Sequence, residues 1–305
     1  MKRISRESIT ALFSAQCEPA LSVESGETFL VETEDSRGGR TRRPEQCTPQ
    51  ALREMRQKGY AGNPVTGPIQ ILGAEPGDTL AVKIESMSCD SQGYYGYWPF
   101  EQNLHDLISE PVTRLVEIRD GVVVYRFQAG GKTHTIEQPV APVIGTIGTA
   151  PREEVVYTYH TGTHGGNLDV PEIGPGCTIY LPVAVPGAFL YLGDCHARQG
   201  DGELCAIEMR SEVTLSATVL KNSMQQQKWL RAETDTHLLT IACDRPLESA
   251  QWLAIREMIS WLEERQGWST EEAREFLSIA SDIRPGQSLA GPYSMRVLVP
   301  KDLLP

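Results

Sequence analysis

Short apolar runs, many of them alternating with polar positions, fill the first two thirds of this chain. They lie at 28–32, 79–84, 112–118, 122–127, 177–183 and 208–220, and glycine and proline separate them. Runs of this length and period predict strands, because successive strand side chains point to opposite faces. Pro76-Gly77-Asp78 marks a turn before one strand, and Asp120-Gly121 supplies the positive φ angles of a tight hairpin between two others. The expected body is mainly β, a β-sandwich, jelly roll or barrel-like structure, with an α+β portion.

Helical signals are fewer. Thr48 is placed to cap a helix with Pro49 in its first turn and Gly59 at its end. Beyond residue 245 the period changes: Ala250, Leu253, Ala254, Met258, Trp261 and Leu262 recur at helical spacing before Gly267. Ser269 with Glu272 then forms a capping box for a second helix carrying Ala273, Phe276, Leu277 and Ala280. A C-terminal helical hairpin that packs on the core is the expectation. The turn at 145–151 offers a boundary between a β-rich part, 1–150, and an α/β part, 151–305, unless the two interleave in one folding unit.

A chain of 305 residues is long enough to bury a substantial core. Its 28 Lys and Arg against 40 Asp and Glu give a net charge of -12, which argues against nucleic acid and anionic membranes as partners. The longest apolar run, 179–192, is broken by Pro182, Pro186 and Gly187 and is too short to span a bilayer. The pattern of a secretory signal is not indicated. Seven cysteines, odd in number and without a CxxC pair, suggest reduced thiols and a cytoplasmic location.

Three segments carry candidate chemistry. In GDCHARQGDGE, 193–203, an extended backbone puts Asp194 and His196 on one face, where they can ligate a divalent metal or share a proton. Asp201 and Glu203 follow on a glycine-rich turn. Glu208, Arg210 and Glu212 alternate on one face of the next expected strand. The competing reading of this stretch is a hydrated hairpin. In HTGTHGGNLD, 160–169, Gly165-Gly166 lets the backbone approach a ligand closely, flanked by His164, Asn167 and Asp169. It could supply a metal ligand, a carboxamide for an amide substrate, or donors to an oxyanion, or be a capped surface turn. GNPVTGP, 62–68, suits a rigid loop lining a narrow pocket, with Asn63 as its candidate substrate contact; a plain turn competes.

Cys195 adjoins His196, but neighbouring strand residues face opposite ways, which makes a thiol–imidazole pair geometrically poor. His105, His134 and His237 have no comparable neighbours. Tyr94, Tyr95, Tyr97 and Trp98 could line a larger pocket or a subunit contact.

Together the segments resemble the acetamidase/formamidase family. The similar stretches are GNPVTGPIQILGAEPGDTLAV from Gly62, GTIGTAP from Gly145, HGGNLD from His164, and YLPVAVPGAFLYLGDCHARQGDGE from Tyr180. The closing helices and the late VLVPKDLL strand are similar too, so the likeness spans nearly the whole chain. Near residue 35 the family tends to carry Asp, Ala and glycines, whereas here Asp35 precedes Ser36. His160, Thr163 and Cys195 are positions the resemblance does not cover.

The resemblance implies a β-rich fold with an added α/β portion and hydrolysis of short amides such as formamide or acetamide. It also implies a homodimer or higher homo-oligomer and a bound divalent metal. His164, Asn167 and Asp169 match one motif; Asp194, His196, Asp201 and Glu203 match the other. The assignment that follows puts a metal, zinc before calcium or another divalent ion, at Asp169, Asp194 and His196. Glu203 or Glu208 would carry the proton to the leaving nitrogen. Asn167 and the Gly165 and Gly166 amides would steady the oxyanion, with Asn63 touching substrate. The alternatives are hydrolysis of a larger amide, a lactam or a urea-like compound, a non-catalytic binding protein, and a thiol amidase using Cys195. The amidase assignment requires the segments near 165 and 198 to meet at opposite walls of one pocket.

Overall fold

The structure, a computed structural model, describes residues 1–59, 62–98, 106–223, 227–289 and 291–305. His105 lies outside the described residues. The glycine- and proline-punctuated runs form strands of two large, mostly antiparallel sheets. The first runs in the order Lys2–Ile4, Thr28–Thr33, Ser211–Leu220, Thr79–Cys89, Thr178–Pro182, Leu230–Glu233, His237–Asp244, Tyr293–Pro300, Asp282–Pro285. The second runs Lys132–Pro139, Val122–Ala129, Val112–Arg119, Gln92–Tyr97, Ile207–Met209, Leu190–Arg198, Val143–Thr149, Gly165–Asn167, Thr161–Gly162, with Val65–Ile71 also paired to Leu190–Arg198. Among the described residues neither sheet closes on itself, so the body is a sandwich and not a barrel.

One apolar core joins the sheets. Val31, Leu80, Val82, Ile179, Val213 and Leu215 from the first meet Ile69, Val116, Ile144, Ile147, Leu190 and Leu192 from the second. Each such side chain contributes about 1.5–3 kcal/mol on burial, which makes this interface the main stabilising element. Strands from before and after residue 150 alternate in both sheets, so a cut there would leave neither intact.

The expected helices form. Thr48 Oγ1 accepts from Ala51 N at 3.2 Å at the start of Pro49–Gln57. Leu247–Gln266 ends at Gly267 in the left-handed conformation, φ 70. Ser269 and Glu272 exchange capping hydrogen bonds of 3.2 and 2.8 Å at the start of Thr270–Ala280. Ala254, Met258, Trp261 and Leu262 pack on Leu238, Ala242, Val297 and Val299. The hairpin is therefore inserted between strands of the first sheet, and two strands follow it. No helix among the described residues is long and apolar enough to cross a membrane.

One expected strand divides. The run 208–220 breaks at Arg210 into Ile207–Met209 of the second sheet and Ser211–Leu220 of the first. Glu208, Arg210 and Glu212 consequently do not share a face. Arg210 Nε donates to Glu34 at 2.8 Å, and Glu212 accepts from Arg3 at 2.9 Å. Glu208 alone of the three turns toward the site described next.

Candidate active site

The strand Leu190–Arg198 changes neighbour halfway along. Leu190, Leu192 and Gly193 pair with the strand Val65–Ile71, whereas Cys195, His196 and Arg198 pair with Ile207–Met209. Between them Asp194 adopts φ 54, a left-handed conformation uncommon for a residue with a side chain. The side-chain alternation slips there: Leu190 and Leu192 face the apolar core, and so do Cys195 and Ala197. Asp194 is therefore not extended as its two-residue spacing from His196 suggested, yet the two meet, with His196 Nε2 3.6 Å from Asp194 Oδ1. Where the two flanking strands diverge, a cavity of about 680 Å³ opens.

Asn63, Asn167, Asp169, Asp194, His196, Glu203 and Glu208 all line this cavity. The segments near 165 and 198 thus contribute to one pocket. His196, 1% exposed, has Nδ1 2.7 Å from Gln199 Oε1. A carboxamide oxygen only accepts, so Nδ1 carries a proton and Nε2 faces the carboxylates. Glu208 Oε1 lies 3.5 Å from that Nε2. Gln199 Nε2 in turn donates to the Asp169 carbonyl at 2.7 Å, tying the imidazole to the neighbouring segment.

A hydrogen-bonded net orients the acids. Asn63 Nδ2 donates to Asn167 Oδ1 at 2.8 Å and to Asp194 Oδ2 at 2.9 Å. Thr146 Oγ1 reaches the same two oxygens, at 2.7 and 3.1 Å. Asn167 Nδ2 donates to Asp169 Oδ2 at 2.6 Å. Gly145 makes the cluster possible: a Cβ there would lie 2.6 Å from Asp169 Oδ1, 2.7 Å from the Asp194 carbonyl oxygen and 2.8 Å from His196 Cε1.

The cluster is electrostatically loaded. Burial, followed by the charges of Glu203 and Asp194, pushes the Asp169 carboxyl well above its usual range. Burial and Asp194 push Glu208 upward as well. Burial works against a charged His196, but Glu208 and Asp194 outweigh it and hold the imidazole well above its ordinary value. Several kcal/mol oppose each ion buried without compensation, so the acids need protons or a cation. Asp169 Oδ1 is buried without a hydrogen-bond partner. Ligand atoms of Asp169, Asp194 and His196 lie within 4.8 Å of one another. Carboxylate oxygen with imidazole nitrogen suits zinc and other divalent ions, and Gln199 and Asn167 are placed to orient such ligands. These residues fit a divalent metal.

Other sequence candidates sit elsewhere. Gly165 and Gly166 do not line the cavity; they lie in a strand paired on both sides, with φ 106 and 107. A Cβ on either would strike backbone, 2.2 Å from the Ile147 carbonyl or 2.0 Å from that of His160, so their glycine character serves close strand packing. Cys195 points into the apolar core beside Thr33, and burial pushes its thiol up to about 12, against a nucleophilic role. Asp201 pairs with the buried Arg296 and steadies the turn that carries Glu203. His164 stacks edge-on against Phe13 beside a separate cavity of about 550 Å³. His134 stacks on Phe127 in an exposed hairpin, and His237 contacts Thr236. Tyr94, Tyr97 and Trp98 line the same cavity as His196, but Tyr95 turns to Tyr125. Thr146 and Gln199, inside the stretches 145–151 and 193–203 but not singled out there, belong to the site, as does Arg37.

Fold and site together define a mainly-β protein with a buried imidazole–carboxylate centre in a cleft between diverging strands. The chain belongs to the acetamidase/formamidase family, whose model matches residues 6–161 and 157–303. An acetamidase structure from Bacillus halodurans superposes with a TM-score of 0.86 at 35% identity, covering 98% of this chain and 97% of that one. A putative formamidase of Schizosaccharomyces pombe is 26% identical over 264 residues, 67% of this chain and 62% of the relative. A formamidase of Methylophilus methylotrophus is 24% identical over 261 residues, with 67% and 62% covered. The chain thus spans under two thirds of these curated relatives.

Proposed function

We propose that this chain hydrolyses the C–N bond of an amide, giving a carboxylate and ammonia, in the cavity that holds His196. The observation that carries the reading is the convergence of Asp169, Asp194, Glu208 and His196 on one buried centre where the sheet divides. Family membership supports it. Asp169, Asp194 and His196 would hold a divalent metal, zinc by the donor set, which when bound supplies Lewis acidity toward a carbonyl oxygen and acidifies water.

The protein's own groups divide the remaining work. Glu208, whose carboxyl is held upward by burial, takes a proton from the attacking water and returns it to the departing nitrogen. Glu203, on the same cavity wall, is the second candidate for that transfer. Asn63 spends its Nδ2 on Asn167 and Asp194, leaving Oδ1 to accept from a substrate N–H. Asn167 is held between Asn63, Thr146 and Asp169, so it acts as a positioning residue for the carboxylates. All seven cysteines are free, which supports a cytoplasmic setting.

Ammonia release from formamide, acetamide, propionamide and urea, with the protein chelator-treated and then resupplied with zinc, tests this. The expected result is activity on a carboxamide that falls at least tenfold on chelation and returns with the ion. Full activity after verified metal removal would contradict the metal, and no ammonia from any amide would contradict the hydrolase.

A further inference from the structure

The cavity has a second charged feature, on the wall carrying Gln92–Tyr97, that amide hydrolysis does not use. Arg37 lines it and is only 5% exposed. Its Nη1 donates to Thr113 Oγ1 at 2.7 Å. The guanidinium carbon sits 4.6 Å from the centre of the Tyr94 ring and 5.5 Å from that of Trp98. Gly96 admits it, since a Cβ there would fall 2.8 Å from Arg37 Nη2.

Buried guanidinium groups elsewhere in this protein are neutralised. Arg231 pairs with Glu257 and Glu264, and Arg296 with Glu172 and Asp201. Arg37 has no ion pair among the described residues, and its Nε and Nη2 donors have no protein acceptor there. An uncompensated buried cation costs several kcal/mol, which a bound anion would offset. The planar fork held against two aromatic rings matches a carboxylate, which accepts two parallel N–H bonds.

We propose that Arg37 recognises a carboxylate on the substrate, and that the substrates are amides bearing a second, anionic end: monoamides of dicarboxylic acids. This rests on the hydrolase reading above and narrows its substrate class. With its carboxylate on Arg37, the substrate extends along the cavity and places its neutral amide at the His196 end. A cavity of about 680 Å³ has room for both ends, far beyond what a one- or two-carbon amide fills. Hydrolysis then yields the dicarboxylate and ammonia.

The test compares kcat/KM for the monoamides of malonic, succinic and glutaric acids with neutral amides of the same shape, a branched alkyl end replacing each carboxylate. Wild type, Arg37→Gln and Arg37→Lys are assayed by ammonia release, with thermal melts to verify folding. At least one monoamide should exceed its neutral counterpart by about 10- to 100-fold in the wild type, as befits a charge-assisted contact. That ratio should collapse toward one in Arg37→Gln and persist in part in Arg37→Lys. Neutral amides cleaved as well as or better than every monoamide would overturn the inference while leaving the hydrolase standing, and so would an unchanged ratio in a folded Arg37→Gln. If Arg37→Gln does not fold, the wild-type ratio and Arg37→Lys decide. Ammonia from none of these amides would overturn both readings.

Discussion

At Gly145 the backbone passes so close to Asp169, Asp194 and His196 that one methyl group has no room. Two of the three obstructing atoms belong to side chains of the cluster and the third is backbone, so Gly145→Ala must displace candidate chemistry. We expect its rate of ammonia release to fall at least tenfold, with a stability loss of about 1–3 kcal/mol from overpacking. Parallel assay and denaturant titration would check this; a fully active Gly145→Ala would mean the cluster tolerates displacement. Residues at this scale were unevenly legible. Asp194 and His196 stood out because charged groups finishing an apolar run need a reason. Thr146, Gln199 and Arg37 did not, since a threonine in a strand, a glutamine in a turn and an arginine after Asp35-Ser36 are ordinary until the fold brings partners to them. Their roles arise from contacts 21 to 76 positions away, or in Gln199 from a local turn onto His196.

The small hairpin of Thr161–Gly162 and Gly165–Asn167 shows how an element can deliver a site without entering it. Its glycines pack against neighbouring strands, and the delivery is made by Asn167 and Asp169 at its end. His164 at its turn is enclosed, its Nε2 buried without a partner, and burial together with His160 lowers its pKa to about 4. In the unfolded chain the ring takes its proton near pH 6.5, so the unfolded state binds more protons between the two values. Stability from this group is complete above about pH 6.5 and is lost as pH falls toward 4, by at most about 3 kcal/mol. Urea unfolding at pH 7 and pH 4.5 should show a smaller drop for His164→Gln than for wild type, and equal drops would refute this. Sequence marked the hairpin correctly as a place of close backbone approach but assigned the approach to a ligand; period and glycine content do not distinguish a ligand from a neighbouring strand. The 208–220 run misled for a related reason. Apolar alternation continues through Arg210, whereas the chain crosses there from one sheet to the other, and only the pairing partners reveal it.

For the molecule as a whole, strands distant in sequence interleave to build two sheets over one core, and the site lies where one strand exchanges neighbours. The β-rich class and the helical pair were readable from period and capping because those signals are local. The strand order was not, because alternation says which face is buried and not which strand lies alongside. That order brings Asn63, Asp169, Asp194, His196 and Glu208 from four separate stretches to one cavity. The most direct measurement is the ammonia-release rate of Glu208→Gln against wild type on the best amide substrate, with circular dichroism verifying the fold. The account predicts a loss of about 100-fold or more, as expected when a proton-transfer group is neutralised without changing its shape. A folded Glu208→Gln working at the wild-type rate would contradict it.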